Sequence, residues 1–558
     1  MTVLERLPAD VVELSPLARV ALEGELDPEL AFVPQRVDDL EPPPEAFEPA
    51  EREALARALE ACLAGLEPHV AVLDAVRALR APGACAVVTG QQPGFLASPL
   101  YSLYKALQAV RLARLLAQRW ERPVAALFWN HADDHDIAEV HHAHVVNQNL
   151  DLQKITLPGL ASGRTPFSDV VLDEEAQRLP ALRAALAEVH RGAPHLDRAL
   201  DVFFPRPGET LARAFTRALT ALCGPLGLVV VEPPAIRREC SAALARLVAL
   251  DPAPALERGA ERVRARGFAP AIVPAEAALV FRHVPERGKP ARRALRPGGE
   301  GFRYDGESGS RTPSELAAEI VQAPLEWSPG ALLRPLVQDL CLPVAAYVGG
   351  YGELAYHAEL GALREEARLP ATPFVPRASC TLVDPETRFA LERLELGIAA
   401  FLRARGEVAS GDAEVPPVVA DLRAVAERAA RELLALRGAV AELDPSLAVQ
   451  VKRGADQVRS LVDKVAEKAE RVHQNQAGKG RRHERRAQNN LFPRGGPQER
   501  ALGPFSFVAR FGEAWVEELA GAIDPLGRDH LVAWLDDGAP VPRDEGAPTA
   551  DPPEGEGG

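Results

Sequence analysis

Between Cys85 and Trp129 the chain switches twice between apolar patterns. Cys85-Ala-Val-Val-Thr89 is a short unbroken apolar run ending in Gly90-Gln91-Gln92-Pro93-Gly94, which predicts a buried strand feeding a glycine-bearing loop. Leu100, Leu103, Leu107 and Val110 then recur at three- and four-residue steps, with Arg111 and Arg114 off that face. This spacing predicts a helix, and Pro99 suits its first turn. Val124-Ala-Ala-Leu-Phe-Trp129 is a second buried-strand run. Strand, helix and strand in so short a span make a βαβ unit, whose parallel sheet needs cover on both faces. Ligands of such sheets bind beyond the carboxyl ends of the strands, and loops 89–99 and 130–139 both leave those ends.

Further runs extend the sheet. Leu228-Val-Val-Val231 follows a helical stretch from about 209 to 222, and Pro343-Val-Ala-Ala-Tyr-Val348 follows a helix opened by Ser328-Pro329. Residues 1–80 read as helical and mixed, with a break at Pro42-Pro43-Pro44. From 418 onward Leu422, Val425, Ala429, Leu436, Val440 and Leu443 recur at helical steps. After Asp444-Pro445, Leu447, Val451, Val458, Leu461, Val465 and Val472 do the same, which predicts a helical hairpin with a coiled-coil-like seam. Such a seam needs a partner surface, and a second copy of the chain is expected to supply it.

The resulting partition places an N-terminal segment and the first half of an α/β core at 1–149 and a mainly helical insert at 150–205. Core residues return at 206–254 and 326–385. Between them, at 255–325, lies a second insert, where Ala278–Arg282 and Gly301–Tyr304 suggest a hairpin module. A helical dimerisation domain at 386–535 and an acidic Pro- and Gly-rich tail at 536–558, expected to be disordered, complete the chain.

At 558 residues the chain exceeds a single core. Its 64 Lys and Arg against 79 Asp and Glu, a net charge of −15, disfavour nucleic acid or an anionic membrane as partner. Met1–Asp10 shows no signal-peptide pattern and no stretch approaches a membrane span, so a cytoplasmic location is expected. Six scattered cysteines without a C-x-x-C pair read as buried thiols, not as a zinc or disulfide framework.

Three constellations could carry chemistry. In Thr89-Gly90-Gln91-Gln92-Pro93-Gly94, glycines permit close backbone approach and the Gln amides both donate and accept; a plain strand-to-helix turn is the bland alternative. Asn130-His131-Ala132-Asp133-Asp134-His135-Asp136, with Glu139 beyond, packs like charges that repel unless they meet solvent or a ligand. It fits a substrate site, a metal site or a polar loop. Arg334-Pro-Leu-Val-Gln338-Asp339 and Gly349-Gly350-Tyr351-Gly352-Glu353-Leu-Ala-Tyr356 repeat the strand, glycine and helix arrangement, where helix capping by Glu353 would also suffice. The basic run 478–486 reads as a solvated helix end or an anion contact.

Together these loops resemble a known family, the cysteine ligases of bacillithiol biosynthesis (BshC). VVTGQQPGFLASPLYSLYKA at 87–106, FWNHADDHDIAEV at 128–140, the Ser-Pro…Arg-Pro…Gln-Asp…Gly-Gly…Glu…Ala-Tyr stretch at 328–356 and Asn490-Leu-Phe-Pro-Arg-Gly-Gly-Pro-Gln-Glu-Arg500 are similar to that family's motifs, in its order, across about 80–520. The resemblance implies a Rossmann-like core with two connecting inserts and a C-terminal coiled coil that forms a homodimer. It implies that the carboxyl of L-cysteine is joined to the amine of glucosaminyl malate through an activated carboxylate, with ATP as the activating co-substrate and no metal. On that basis Gly90, Gln91, Gln92 and Gly94 are assigned as an anion cradle, and Asp134, His135 and Asp136 as catalytic residues that contact a substrate ammonium or hydroxyls, His135 being the candidate base or phosphate contact. Gly350, Glu353 and Tyr356 close the other side. Thr89, Tyr101, Lys105, Asp133, Gln338 and Arg500 are further substrate or nucleotide contacts, with Arg481 and Arg485 near Arg500 in the chain as nucleotide candidates. Asp133, Tyr351, His357 and Ala97-Ser98 depart from the family's usual Glu, Pro, Trp and Gly. The competing readings are a nucleotide-binding assembly scaffold and a metal-dependent amide hydrolase using His131, His135 and Asp136.

Overall fold

The computed structural model describes residues 2–147, 151–160, 163–286, 288–299, 301–304, 309–407, 417–476 and 481–536. The acidic tail from 537 onward therefore lies outside the described residues.

The central sheet is built from β1 (Cys85–Gln91), β2 (Val124–Asn130), β3 (Leu228–Val231), β4 (Val344–Gly349) and β5 (Phe374–Pro376). All five strands are parallel in the order β5-β4-β1-β2-β3, with Val88 opposite Leu127 and Leu127 opposite Val229. Alternate residues feed two cores. Val87, Phe128, Val230 and Val348 pack with α1 (Leu100–Trp120) and α2 (Leu211–Cys223) on one face. Val88, Leu127, Trp129 and Val229 pack with α3 (Pro233–Ala249) and α4 (Arg334–Cys341) on the other. Both faces are covered, which is why the strands carry unbroken apolar runs instead of alternation.

Several elements differ from the sequence reading. Trp327–Pro329 is a short strand, not a helix start, because Ser328 and its neighbours pair with Phe281 and Arg282. The helix begins at Arg334, with Pro335 in its first turn. The insert 255–325 holds more than a hairpin. Val280–Glu286, Lys289–Gly298, Gly301–Tyr304 and Ser310–Arg311 form an antiparallel sheet completed by Trp327–Pro329. In the insert 150–205, Leu152–Thr156 pairs with His142–Val146 before the helices Leu179–Val189 and Leu196–Phe203.

The chain divides into two compact units, 1–388 with 489–558, and 389–488. This departs from a single helical block over 386–535, because Asp529–Trp534 is a strand between Thr2–Pro8 and Ser379–Val383 and so belongs to the first unit. The second unit contains the expected helical hairpin, α6 (Pro417–Ala435) against α7 (Pro445–Gln476). Buried Ala426, Ala430, Ala455 and Ala466 allow close approach, and Arg459–Glu427 and Arg423–Glu470 pairs cross it at 2.9 and 2.8 Å. Leu436, Leu443, Leu461 and Val465 stay exposed. Among the described residues no helix is long and apolar enough to cross a membrane.

Candidate functional site

A cavity of about 770 Å³ opens at the carboxyl ends of β1, β2 and β4. Its wall is made where the sheet must release the chain. Gln91 is the last residue of β1, Asp133 and Asp134 follow β2, and Gly350 links β4 to α5 (Tyr351–His357). The first turns of α1 add Tyr101 and Lys105, and the antiparallel insert adds Phe281 and Arg292 as an outer wall.

The glutamine loop and the acidic loop meet directly. Gln92 Nε2 donates to Asp134 Oδ2 at 2.7 Å, and Gln91 Nε2 donates to the Tyr101 hydroxyl at 3.2 Å. Beneath them Lys105 is buried, its Nζ donating to Gly90 O at 2.9 Å, to Gln91 Oε1 at 3.0 Å and to Glu353. Burial depresses the Lys105 ammonium, and Glu353 opposes that. Burial likewise pushes the Glu353 carboxyl up, but Lys105, the Tyr347 hydroxyl at 2.6 Å and the Gly350 N–H at 2.8 Å outweigh it and leave it below its usual range.

Three buried arginines complete the floor. Arg377 pairs with Glu499 at 2.6 Å. Arg292 lies 3.9 Å from Asp134 and stacks on Phe281 at 3.5 Å. Arg334 donates to Gln338 Oε1 at 3.0 Å and to the Tyr356 hydroxyl, and forms no ion pair with a carboxylate among the described residues. Glu353 acts on it only from beyond ion-pair distance, and a buried, always-charged guanidinium facing a cavity with no carboxylate in contact fits an anion from outside the protein.

The assigned residues divide into two groups. Gln91, Gln92, Tyr101, Lys105, Asp133, Asp134, Gly350, Glu353, Tyr356 and Arg500 line the cavity. Thr89 does not; its hydroxyl is buried and donates to Val348 O at 2.7 Å, tying β1 to β4. Gln338 is buried behind Arg334 and positions it. Gly90 and Gly94 do not line this cavity, although Gly94 borders a smaller one beside it. A Cβ on Gly90 would meet Trp129 O at 2.6 Å and one on Gly94 would meet Ser98 O at 1.8 Å, so these glycines serve chain packing. Among the glycines that line the cavity, Gly352 has nothing within 4 Å of such a Cβ. His135 and Asp136 also lie off the lining. His135 is half-buried with its ring edge toward Phe281, and burial lowers its pKa. Asp136 is exposed and caps Ile137–Val140 by accepting from Ala138 N at 3.2 Å. Among the described residues no group of three or more His, Cys, Asp or Glu is disposed to hold a metal, so the His131, His135 and Asp136 constellation is not assembled. Arg485 belongs to the second unit, and the Arg481 side chain lies outside the described residues.

Arg292, Arg377 and Phe281 were missed. Arg334 stands in a motif singled out by sequence, and its flanking Pro335 and Gln338 are the signal that could have promoted it. Arg292, in an insert strand, carries none.

The chain matches two family models: bacillithiol biosynthesis BshC, N-terminal Rossmann-like domain, over 32–378, and bacillithiol biosynthesis BshC, C-terminal coiled-coil domain, over 410–535. Relatives bearing the name "Putative cysteine ligase BshC" include one from Koribacter versatilis, 31% identical over 85% of this chain and 88% of the relative. One from Salinibacter ruber is 30% identical over 82% and 84%, and one from Symbiobacterium thermophilum 31% over 87% and 90%. With a parallel core, a helical hairpin and matches of this extent, the chain belongs to the BshC family of bacillithiol biosynthesis.

Proposed function

We propose that the cavity joins the carboxyl of L-cysteine to the amine of glucosaminyl malate, the last step of bacillithiol biosynthesis, with ATP activating the carboxyl. A carboxylate is a poor acyl donor, and ATP supplies the leaving group that the uncatalysed reaction lacks. The observation that carries this reading is the meeting of the two loops over a cationic floor, Gln92 on Asp134 beside Arg292 and Arg334. Arg334 and Arg292 hold the negative charge that grows on the carboxyl and its leaving oxygen. Asp134, held by the Gln92 amide and the His135 N–H at 2.7 Å, accepts a hydrogen bond from the incoming amine, which enters in its neutral form. As nitrogen attacks the activated carbon, the C–N bond forms, the bond to the leaving oxygen breaks and Asp134 takes the amine proton. Gly350 and Gly352 leave room for the substrate backbone.

The test incubates purified protein with L-cysteine, glucosaminyl malate and magnesium ATP and reads the dehydrative adduct by mass spectrometry. Wild type forms it, whereas Asp134→Asn and Arg334→Gln lose it at near-wild-type melting temperatures. No adduct from folded wild type, or full activity in both variants, rejects the reading. We propose further that a second copy covers the exposed apolar residues of the α6–α7 hairpin, giving a homodimer. A single-chain mass by light scattering refutes that.

A further inference from the structure

A second cavity of about 290 Å³ adjoins the first. Gln91, Gln92, Tyr101, Glu139 and Arg500 line both, so the two chambers adjoin along these side chains. They differ in how their cations are answered. In the main chamber Lys105, Arg292 and Arg377 face Glu353, Asp134 and Glu499, and Arg334 is held by the neutral Gln338 and Tyr356. In the smaller one, Arg494 and Arg500 form no side-chain hydrogen bond or ion pair with any described residue. Arg494 is held at its rim with φ +62°, a left-handed backbone that an arginine seldom adopts. The only carboxylate among its lining residues is Glu139, which stands on the shared boundary.

The other wall is histidine. His142 and His144 lie edge to face with ring centroids 5.4 Å apart. Burial, then the positive charges of Lys154 and Arg494, push both down to about 4. At neutral pH each is uncharged and offers one N–H, so the chamber presents two cations and two neutral donors to whatever enters.

We propose that this side chamber is a subsite for an anionic terminus, carboxylate or phosphate, of a substrate whose reacting end lies in the main cavity. Arg494 and Arg500 grip the anion, and His142 and His144 donate hydrogen bonds to it. Holding a non-reacting end orients the reacting one, which converts remote binding into rate. The inference rests on the ligase reading only for the identity of that substrate: the two carboxylates of a malate-bearing amine and the phosphates of a nucleotide share this chemistry.

The test measures binding to the full chain without turnover, by ligand-observed NMR, with L-malate in one arm and inorganic phosphate in the other. Saturable binding of at least one probe is expected. Arg494→Gln and Arg500→Gln should each weaken it about 10-fold or more, as loss of a charge-assisted contact does, while Arg494→Lys keeps it within a few-fold. Both arginines are exposed, so melting temperatures should not change. Tighter binding of malate assigns the chamber to a carboxylate end, and tighter binding of phosphate to a nucleotide. Unchanged affinity in both Gln variants, or no binding of either probe by wild type, overturns the subsite. A chain that binds malate through Arg494 yet makes no adduct would refute the ligase reading and leave the subsite standing.

Discussion

The Lys105–Glu353 pair offers a quantitative test of how the cavity is held. Its side chains are 2% and 16% exposed, so neither charge has water to fall back on. Removing one partner of such a pair costs about 3–5 kcal/mol because the other is left uncompensated, whereas removing both is often close to neutral. Each survivor here keeps some help. Without Lys105, Glu353 still accepts from Tyr347 and Gly350; without the Glu353 charge, Lys105 still donates to Gly90 and Gln91. Lys105→Met and Glu353→Gln should therefore each cost about 3 kcal/mol, the lower end of that range. The double variant should cost no more than either single, a coupling of at least about 3 kcal/mol. Tryptophan fluorescence during urea unfolding is the assay, since Trp120, Trp129, Trp327, Trp515 and Trp534 all belong to the first unit. Additive costs in the double variant would show that the two charges are independently solvated and that the floor is not a buried pair.

Gly94→Ala should lower the melting temperature sharply or prevent folding, because its Cβ would lie 1.8 Å from Ser98 O, while Gly352→Ala, with open space, should raise helix stability by up to about 1 kcal/mol. Thermal melts of the two side by side check this. Asp136→Ala should cost about 1 kcal/mol through the lost cap yet retain ligase activity, measured by adduct formation. His530, buried between Ser379 and Thr381, is pushed down by burial to about 4. The unfolded chain then binds the extra proton between about pH 6.5 and 4, so this contribution is complete above about 6.5 and is lost as pH falls towards 4, on the order of 3 kcal/mol. Melting temperatures across that range should fall less steeply in His530→Gln, and equal slopes would refute the assignment.

The core strands were legible because a parallel sheet covered on both faces leaves unbroken apolar runs, and β1, β2, β3 and β4 fall where those runs lie. Periodicity also found α1 and the α6–α7 hairpin. What local pattern could not reveal is pairing across long separations. Ser328-Pro329 has the composition of a helix start, yet backbone pairing with Phe281 and Val280 makes it a strand. Asp529–Trp534 likewise joins Thr2–Pro8 through partners more than 500 residues apart, so no window along the chain could place this strand in the first unit.

The acidic loop shows why charge density in a sequence is a poor guide to which residues meet substrate. Three aspartates within four residues can fold only if each is answered, and the structure answers them differently. Burial would push the Asp133 carboxyl up, but Arg237, with His283 and Arg292 nearby, outweighs that and holds it low. Asp136 is consumed as a helix cap. Asp133 and Asp134 both line the main cavity, but Asp133 is taken up by its ion pair with Arg237, whereas Asp134 has its two oxygens held by a side-chain amide and a backbone N–H, with a guanidinium 3.9 Å away. The answering groups come from α3, from the insert strand that carries Arg292 and from the loop after β1, which are far apart in sequence. Composition therefore locates the loop, while only the fold separates the aspartate that can accept a proton from the two that hold the loop in place.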